Sequence, residues 1–426
     1  MDNDRQLRSE FRRALDDMLP PAPWLEADVR ARLQELPRNR GGSVRRPEIV
    51  LRWTRVDQRL AAVLLVVVIA AAAIGVFLVA HGALRPSVPV GVGARGTITF
   101  GRINANGDEY IFTIHADGSG EKQLLASASC CVAWSHKGNR LLLAGAGSAG
   151  TVTTAIVNSD GSGYRALPIG STGLNLGPGR WSPDDSRIAF EGWDDANSSL
   201  NGIYTADSTD GGNRRRVTTT TQHDVPISYS PDGSMILFRR GSADASKPGE
   251  LFVVGVDGGA VTRVSPSGMT VAIGFFGDPG GWSPDGTEIS FAAFSPIPSD
   301  AGRSAVFVAA GNGTNPRQIS AWGDNTTSAR FSPSGDWIVF DRAVTYAGPN
   351  HTFFLVRPDG SGTTAIPSIY GACCAVWSPD GSRLAFIEGP DNQVELWTAE
   401  LDGSHLTRLT KGPANLTDVG WGGAAK

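Results

Sequence analysis

Cysteine is scarce, with four in 426 residues, and a chain of this length with so few is not a disulfide scaffold. Charged residues make up 19%, below the ~25% of ordinary soluble domains, which excludes a highly charged disordered chain. The net charge is −4, so no basic excess marks a nucleic-acid binder. A coiled coil and a polytopic transporter are excluded by the same composition. Catalytic fingerprints are missing too. The nearest string to a G-x-S-x-G elbow, Ala146-Gly147-Ser148-Ala149-Gly150, lacks its first glycine. No H-E-x-x-H, P-loop or dinucleotide fingerprint occurs, so no cofactor is expected. The six histidines, His81, His115, His136, His223, His351 and His405, are scattered and read as exposed turn residues.

Glycine and proline are abundant instead, 53 and 26 residues. Together they reach ~19%, against an average near 12%, without a collagen period. Many turns imply many short strands, hence a mostly β body.

Charge divides unevenly along the chain. Residues 1–59 carry 13 Arg, no Lys and 10 Asp+Glu, a balance of +3, and the remainder balances at −7. Between the two settings, Leu60 to Ala80 reads LAAVLLVVVIAAAAIGVFLVA, 21 uncharged and almost wholly apolar residues. As a helix it spans about 30 Å, the thickness of a hydrocarbon core, and being apolar on every face it suits lipid rather than a soluble core. Arg38, Arg40, Arg45, Arg46, Arg52, Arg55 and Arg59 precede it closely, which predicts a cytoplasmic N-terminus and an extracytoplasmic body. A cleaved signal peptide normally has a short basic region before its apolar run, and 59 residues come first here, so an uncleaved anchor is expected.

Before the anchor, Asp4 to Leu19 places Leu7, Phe11, Ala14, Leu15 and Met18 at helical spacing, and the prolines of residues 20–23 end it. A second amphipathic stretch runs from Trp24 to Leu36. Helices this short bury little alone, so residues 1–36 are either a site for a cytoplasmic partner or a loosely ordered basic anchor. Neither Cys nor His occurs in residues 1–80, which argues against a zinc-binding regulator there.

From Trp134 onward a repeat is plain. WSHKGNRLLLA starts at Trp134, WSPDDSRIAF at Trp181, YSPDGSMILF at Tyr229, WSPDGTEISF at Trp282, FSPSGDWIVF at Phe331 and WSPDGSRLAF at Trp377, and a last aromatic follows at Trp421. An Asp-Gly or Asn-Gly pair keeps the same beat at Asp117, Asp160, Asp210, Asp257, Asn312, Asp359 and Asp402. Each unit reads as four strands. The aromatic ends strand A, Ser-Pro-Asp-Gly turns into strand B, a variable loop leads to strand C, and Asp-Gly turns into strand D. Thr97-Ile98-Thr99-Phe100 begins as a strand B with no strand A before it, and Thr417 to Trp421 is an orphan strand A. Pairing them completes one blade from both ends of the body and leaves no open edge. The expected fold is all-β, a seven-bladed β-propeller over 96–422, with six blades as the alternative. A helical segment and Arg-rich linker (1–59), one transmembrane helix (60–80) and a linker (81–95) precede it, and a tail (423–426) follows.

WSPDGSRLAF followed by a strand and an Asp-Gly turn resembles the TolB-like, WD-repeat-like β-propeller repeats of bacterial envelope proteins. The resemblance covers about three quarters of the chain. It implies a radial propeller and a binding role in the envelope. Members are typically six-bladed, whereas seven units are counted here. The same repeats form the propeller of prolyl-oligopeptidase-like enzymes, which carry a hydrolase domain of ~250 residues, and only a few residues follow Trp421. The chain is therefore expected not to be an enzyme.

Two cysteine pairs, Cys130-Cys131 and Cys373-Cys374, lie four and three residues before Trp134 and Trp377. The position three before the aromatic is Pro178, Pro226, Pro279, Ser328 and, in the closing strand, Asp418. The pairs therefore fall in the blades either side of the closing blade. Vicinal disulfides, a bond between blades, a metal site with Asp418 and free thiols are all open. Asn104 to Glu109 has a faint likeness to a calcium loop but lacks its ligand spacing and reads as a hairpin turn.

Strand order puts the short A–B and C–D turns on one face and the variable B–C and D–A loops on the other. Variable loops on a rigid scaffold commonly carry recognition. The candidate binding residues are Trp193, Asp194, Asp195, His223, Asp224, Phe294, Tyr346 and Tyr370, with Cys130, Cys131, Cys373, Cys374 and Asp418 at the channel mouth. The expected partner is an envelope protein, a peptidoglycan-linked component or a small ligand. A transmembrane sensor is the second reading and an enzyme acting in the channel the third.

Overall fold

A computed structural model describes residues 96–423, apart from 128, 147–151, 169–173, 243–248, 272–279, 298, 300–301, 325, 327, 344–350, 368, 370–371, 390–393 and 413, with the backbone only at 146, 324, 343, 351, 372 and 373. The expected N-terminal helices and the apolar run from Leu60 to Ala80 lie outside the described residues, as do Tyr346 and Tyr370. Among the described residues no helix is long and apolar enough to cross a membrane.

Seven antiparallel sheets of at least four strands form the body, which settles the blade count at seven rather than six. The second blade is representative: Ser129–Trp134, Arg140–Ala146, Val152–Asn158 and Arg165–Ala166 pair in sequence order. The innermost strands of the third to seventh blades are Asn175–Trp181, His223–Tyr229, Gly280–Trp282, Ala329–Phe331 and Ala372–Trp377. The first blade is assembled from both ends, with Asn415–Gly422 pairing antiparallel to Thr97–Ile103. Blade five adds a short strand, Gly323–Asp324, against Arg303–Ala310.

The repeat motif is explained by three contacts. The phenylalanine of strand B, at Phe100, Phe190, Phe238, Phe291, Phe340 and Phe386, is sealed in the core of six blades, and Leu143 takes its place in blade two. In five blades it stacks on a strand C ring, as in Phe100–Phe112 at 5.7 Å and Phe340–Phe354 at 5.4 Å. The aromatic ending strand A locks one blade to the preceding one. Trp181 Nε1 donates to Ala133 O (3.0 Å), Trp377 Nε1 to Arg330 O (3.1 Å) and Trp134 Nε1 to Thr99 Oγ1 (3.1 Å). Third, the Asp of Ser-Pro-Asp-Gly organises its own turn. Asp184 Oδ1 accepts from Ser182 Oγ (2.6 Å) and Ser186 N (3.0 Å), and Ser182 Oγ accepts from Arg187 N (2.9 Å). These donors hold Asp184 down to about 2.

These turns also pack as a ring. A side chain added at Gly233, Gly286, Gly335 or Gly381, all at positive φ, would rest against Pro183, Pro231, Pro284 or Pro333 of the preceding blade. One seam departs from this rule at both partners. His136 stands in the proline slot of blade two, and Asp185, at φ 61, stands in the glycine slot of blade three. Unlike proline, His136 has a backbone N–H, and it donates to Asp185 Oδ1 (2.7 Å) while Lys137 N donates to Oδ2 (2.9 Å). Asp185 is 2% exposed, so the two departures compensate each other.

Two outcomes follow for stability. Asp185→Gly removes an ionic acceptor from two backbone donors and should destabilise by about 1–3 kcal/mol. His136→Pro combined with Asp185→Gly restores the regular turn pair and should recover most of that loss in a double-mutant cycle of denaturant melts. Additive losses would show that the two residues do not act as a pair. Deleting Leu416 to Lys426 removes the closing strand with Trp421, which is buried against Ile98 and Phe100. Loss of a large buried aromatic typically costs about 3–5 kcal/mol, and the exposed edge adds to it. The deletion should therefore lower the melting temperature markedly, and an unchanged melt would refute the closure.

Candidate functional site

In blades one, two and seven the innermost strand carries a bulge at one equivalent position. Pairing slips by one residue between Cys130 and Ala133, between Cys373 and Val376, and opposite Thr99 and Gly101 in the closing strand. Each bulge places a non-glycine residue in the left-handed region: Cys131 at φ 61, Cys374 at φ 70 and Asp418 at φ 50. That conformation is normally left to glycine in such bulges and costs about 1–3 kcal/mol per residue. Three such residues stand on contiguous blades.

Ring closure fills this arc with ionisable groups. Asp418 accepts a hydrogen bond from the backbone N–H of Cys131, and the Thr417 hydroxyl donates to Glu109 at the start of Glu109–His115. Gly101 makes room, because a Cβ there would strike both the Glu109 carboxylate and the Thr417 hydroxyl. Burial, followed by the charge of Asp418, pushes Glu109 up to about 7, against the smaller downward pull of Thr417. Cys130 and Cys131 are free thiols with sulfurs 2.6 Å apart. The contact with Cys130, then burial, then the charges of Cys130, Asp418 and Glu109 drive the Cys131 thiol well up. It is therefore a thiol rather than a thiolate, and the thiolate is the nucleophile and the metal-binding form. Cys374 is disulfide-bonded. Among the described residues no group of three or more His, Cys, Asp and Glu is placed to hold a metal. Asn104 to Glu109 forms a hairpin turn, with Asn104 Oδ1 accepting from Asn106 N (2.8 Å) and Asp108 N (3.0 Å).

A second cluster on the same face joins blades three and four. His223 Nδ1 lies 2.6 Å from Glu191 Oε1, and Trp193 packs on the imidazole with ring centroids 6.1 Å apart. The Glu191 hydrogen bond raises the His223 pKa against an opposing burial effect. Asp224, read from sequence as a loop residue open to a partner, is instead fully buried. It takes Arg240 Nε and Nη2 at 2.7 and 2.8 Å and the Thr218 hydroxyl at 2.7 Å. Strand alternation turns it inward, where it supports the scaffold. Asp194 accepts from Ala196 N (2.8 Å) and Asn197 N (3.0 Å) and shapes its loop, Asp195 is exposed, and Phe294 is half-buried at the end of its strand. Sequence reading overlooked Glu109 and Glu191. Each sits at a strand end with a partner far away in sequence, and no local motif marks either.

No family model matches the chain. Solved structures share its architecture. TolB from Acinetobacter baumannii is 15% identical, with a TM-score of 0.46, over 77% of this chain and 83% of that one. An oligogalacturonate lyase in complex with manganese is 12% identical, with a TM-score of 0.56, over 72% and 86%. A prolyl endopeptidase is 10% identical, with a TM-score of 0.55, over 75% of this chain and 50% of that one. At such identities the likeness is one of fold. The chain is a seven-bladed β-propeller. The expectation that it is not an enzyme is overturned, because propellers of this fold occur in a lyase and in an endopeptidase.

The raised Glu109 pKa has a thermodynamic signature. Below the unfolded value of 4.5 both states hold the proton. Between 4.5 and about 7 unfolding releases it, so stability falls as pH rises through that window. Glu109→Gln should abolish this contribution. The wild-type melting temperature minus that of the variant should decline from pH 4.5 to 7 and then level off. Parallel curves would refute the burial of Glu109. His223 adds a fall of the same sign, starting only above its unfolded value of 6.5 and present in both proteins.

Proposed function

We propose that this protein is a single-pass component of the bacterial cell envelope, with residues 1–59 in the cytoplasm and the propeller outside, and that the propeller is a binding module. The arginine-rich segment before Leu60 and the apolar run to Ala80 support the topology. The binding reading rests on the channel mouth. Glu109 and Asp418 crowd one another on the loop-rich face in an arc of left-handed residues. The opposite face is tied into self-satisfied turns. An envelope protein or peptidoglycan-linked component that presents positive charge suits this mouth.

Two measurements test it. A protease added outside intact cells should digest the propeller and spare a short N-terminal fragment, and the converse pattern would reverse the topology. A photo-crosslinker at exposed Asp195, on the loop-rich face, should capture a defined envelope partner. The same probe at exposed Asp336, in a turn of the other face, should not. Equal capture from both positions, or none from Asp195, would refute binding by the loop-rich face.

A further inference from the structure

The face built from short turns is not featureless. Between blades three and four it holds a cavity of about 540 Å³, lined among others by Asp184, Arg187, Arg215, Tyr229, Asp232 and Val256. That volume lies in the range of small-ligand sites. It is formed wholly by described residues, on the side of the ring away from the channel-mouth loops.

Most of its charge is already paired. Arg215 Nη1 binds Asp257 Oδ1 at 2.5 Å. Arg187 is held by Asp207 Oδ1 (2.7 Å), Thr205 Oγ1 (3.0 Å) and the Asn213 carbonyl (3.2 Å). Asp184 and Asp232 are different. Each accepts from serines and backbone of its own turn, with Ser182 Oγ at 2.6 Å on Asp184 and Ser230 Oγ at 2.5 Å on Asp232. Those donors keep both carboxylates below the usual range and ionised, and among the described residues no Lys or Arg forms an ion pair with either. Both are exposed at the rim.

Tyr229 is an independent observation. It occupies the strand A aromatic position, where Trp181 and Trp377 donate to the preceding blade and where blade six has Phe331. A hydroxyl is therefore not needed for packing at this position. Tyr229 is 8% exposed, and its hydroxyl is buried with no hydrogen-bond partner. It lines the cavity and lies within electrostatic reach of Arg187 and Asp184 on the wall. Burial, its main influence, keeps it a neutral phenol. An unsatisfied buried hydroxyl is costly, and a ligand donor would remove that cost.

We propose that this interblade cavity binds an aliphatic organic cation, a primary ammonium or guanidinium group that donates to Tyr229 Oη and is neutralised by Asp184 and Asp232. The same chemistry is offered by a free polyamine and by a lysine or arginine side chain of a peptide.

The test is calorimetric titration of the full-length protein in detergent with putrescine and, separately, with N-acetyl-lysine methylamide and N-acetyl-arginine methylamide. Saturable binding of putrescine alone identifies a free amine as the source, and binding of the blocked amino acids identifies a side chain. Tyr229→Phe keeps the packing found at Phe331 and should weaken binding about tenfold, the effect of one hydrogen bond to a charged group. Tyr229→Trp places in the cavity the ring used at Trp181 and Trp377. It should leave the melting temperature unchanged or raise it and abolish binding. The proposal is overturned by the absence of saturable binding of all three probes, by equal binding of the uncharged butane-1,4-diol, or by wild-type affinity in Tyr229→Phe. The last result would mean that water, not the ligand, satisfies the hydroxyl.

Discussion

The ring closes through one antiparallel pair, in which Thr97 faces Gly422 and Ile103 faces Asn415. Everything else in the propeller presupposes it. An open stack of seven blades would present unpaired strand edges at both ends, which invites pairing with other chains. Closure also positions the neighbouring blade, because Thr99 Oγ1 receives the Trp134 indole N–H of blade two while lying within reach of the Gly420 carbonyl (3.4 Å). The contacts of Asp418 and Glu109 exist only through this pairing. Asp418 meets Cys131 across 287 residues of chain, and Thr417 meets Glu109 across 308.

The two faces differ in where their polar groups find partners. On the turn face, Ser-Pro-Asp-Gly and Asp-Gly segments satisfy their own backbone, as when Asp117 Oδ1 accepts from Ser119 N at 2.9 Å. Neighbouring blades add proline-on-glycine packing and a few contacts such as Arg215 on Asp257, and the turn length stays fixed while the blades repeat. On the loop face, strands end in residues whose partners come from other blades, as in Glu191 with His223. Such pairs tie the blades together.

This difference explains what could be read from the sequence. Seven units, the strand B phenylalanines, the closing strand and the placing of the cysteine pairs beside the closing blade were all legible, because each depends on a motif within ten residues. Glu109 was not legible, since its environment is made by Gly101 and by a strand at the other end of the propeller. Asp224 was misread because it borders a loop, yet strand alternation points it at Arg240. The exchange of His136 and Asp185 looks like drift when either turn is read alone and becomes a matched pair only when the blades are adjacent. Tyr229 looks like one more strand A aromatic until its hydroxyl, like the Trp282 indole N–H, is seen to lack the partner that Trp134, Trp181 and Trp377 have. Missing catalytic motifs were a poor guide to enzymatic activity, because a propeller fold hosts catalytic and non-catalytic proteins alike.

Asp185 and Asp418 make the final step of the argument. Both are aspartates in the left-handed region, at φ 61 and φ 50, and both reach across a seam between blades to accept a backbone N–H. Asp185 takes two backbone donors with one carboxylate, is shielded from water, and has its negative charge matched by that geometry. Its strain is therefore offset within the scaffold. Asp418 uses the same backbone device but stands beside a second carboxylate, and burial, followed by the charge of Asp418, pushes Glu109 up to about 7. One backbone device thus yields a structural lock on the turn face and a partly buried carboxylate pair on the loop face. Burial beside a second carboxylate, rather than the strained backbone common to both, distinguishes the loop-face aspartate from the joint on the turn face.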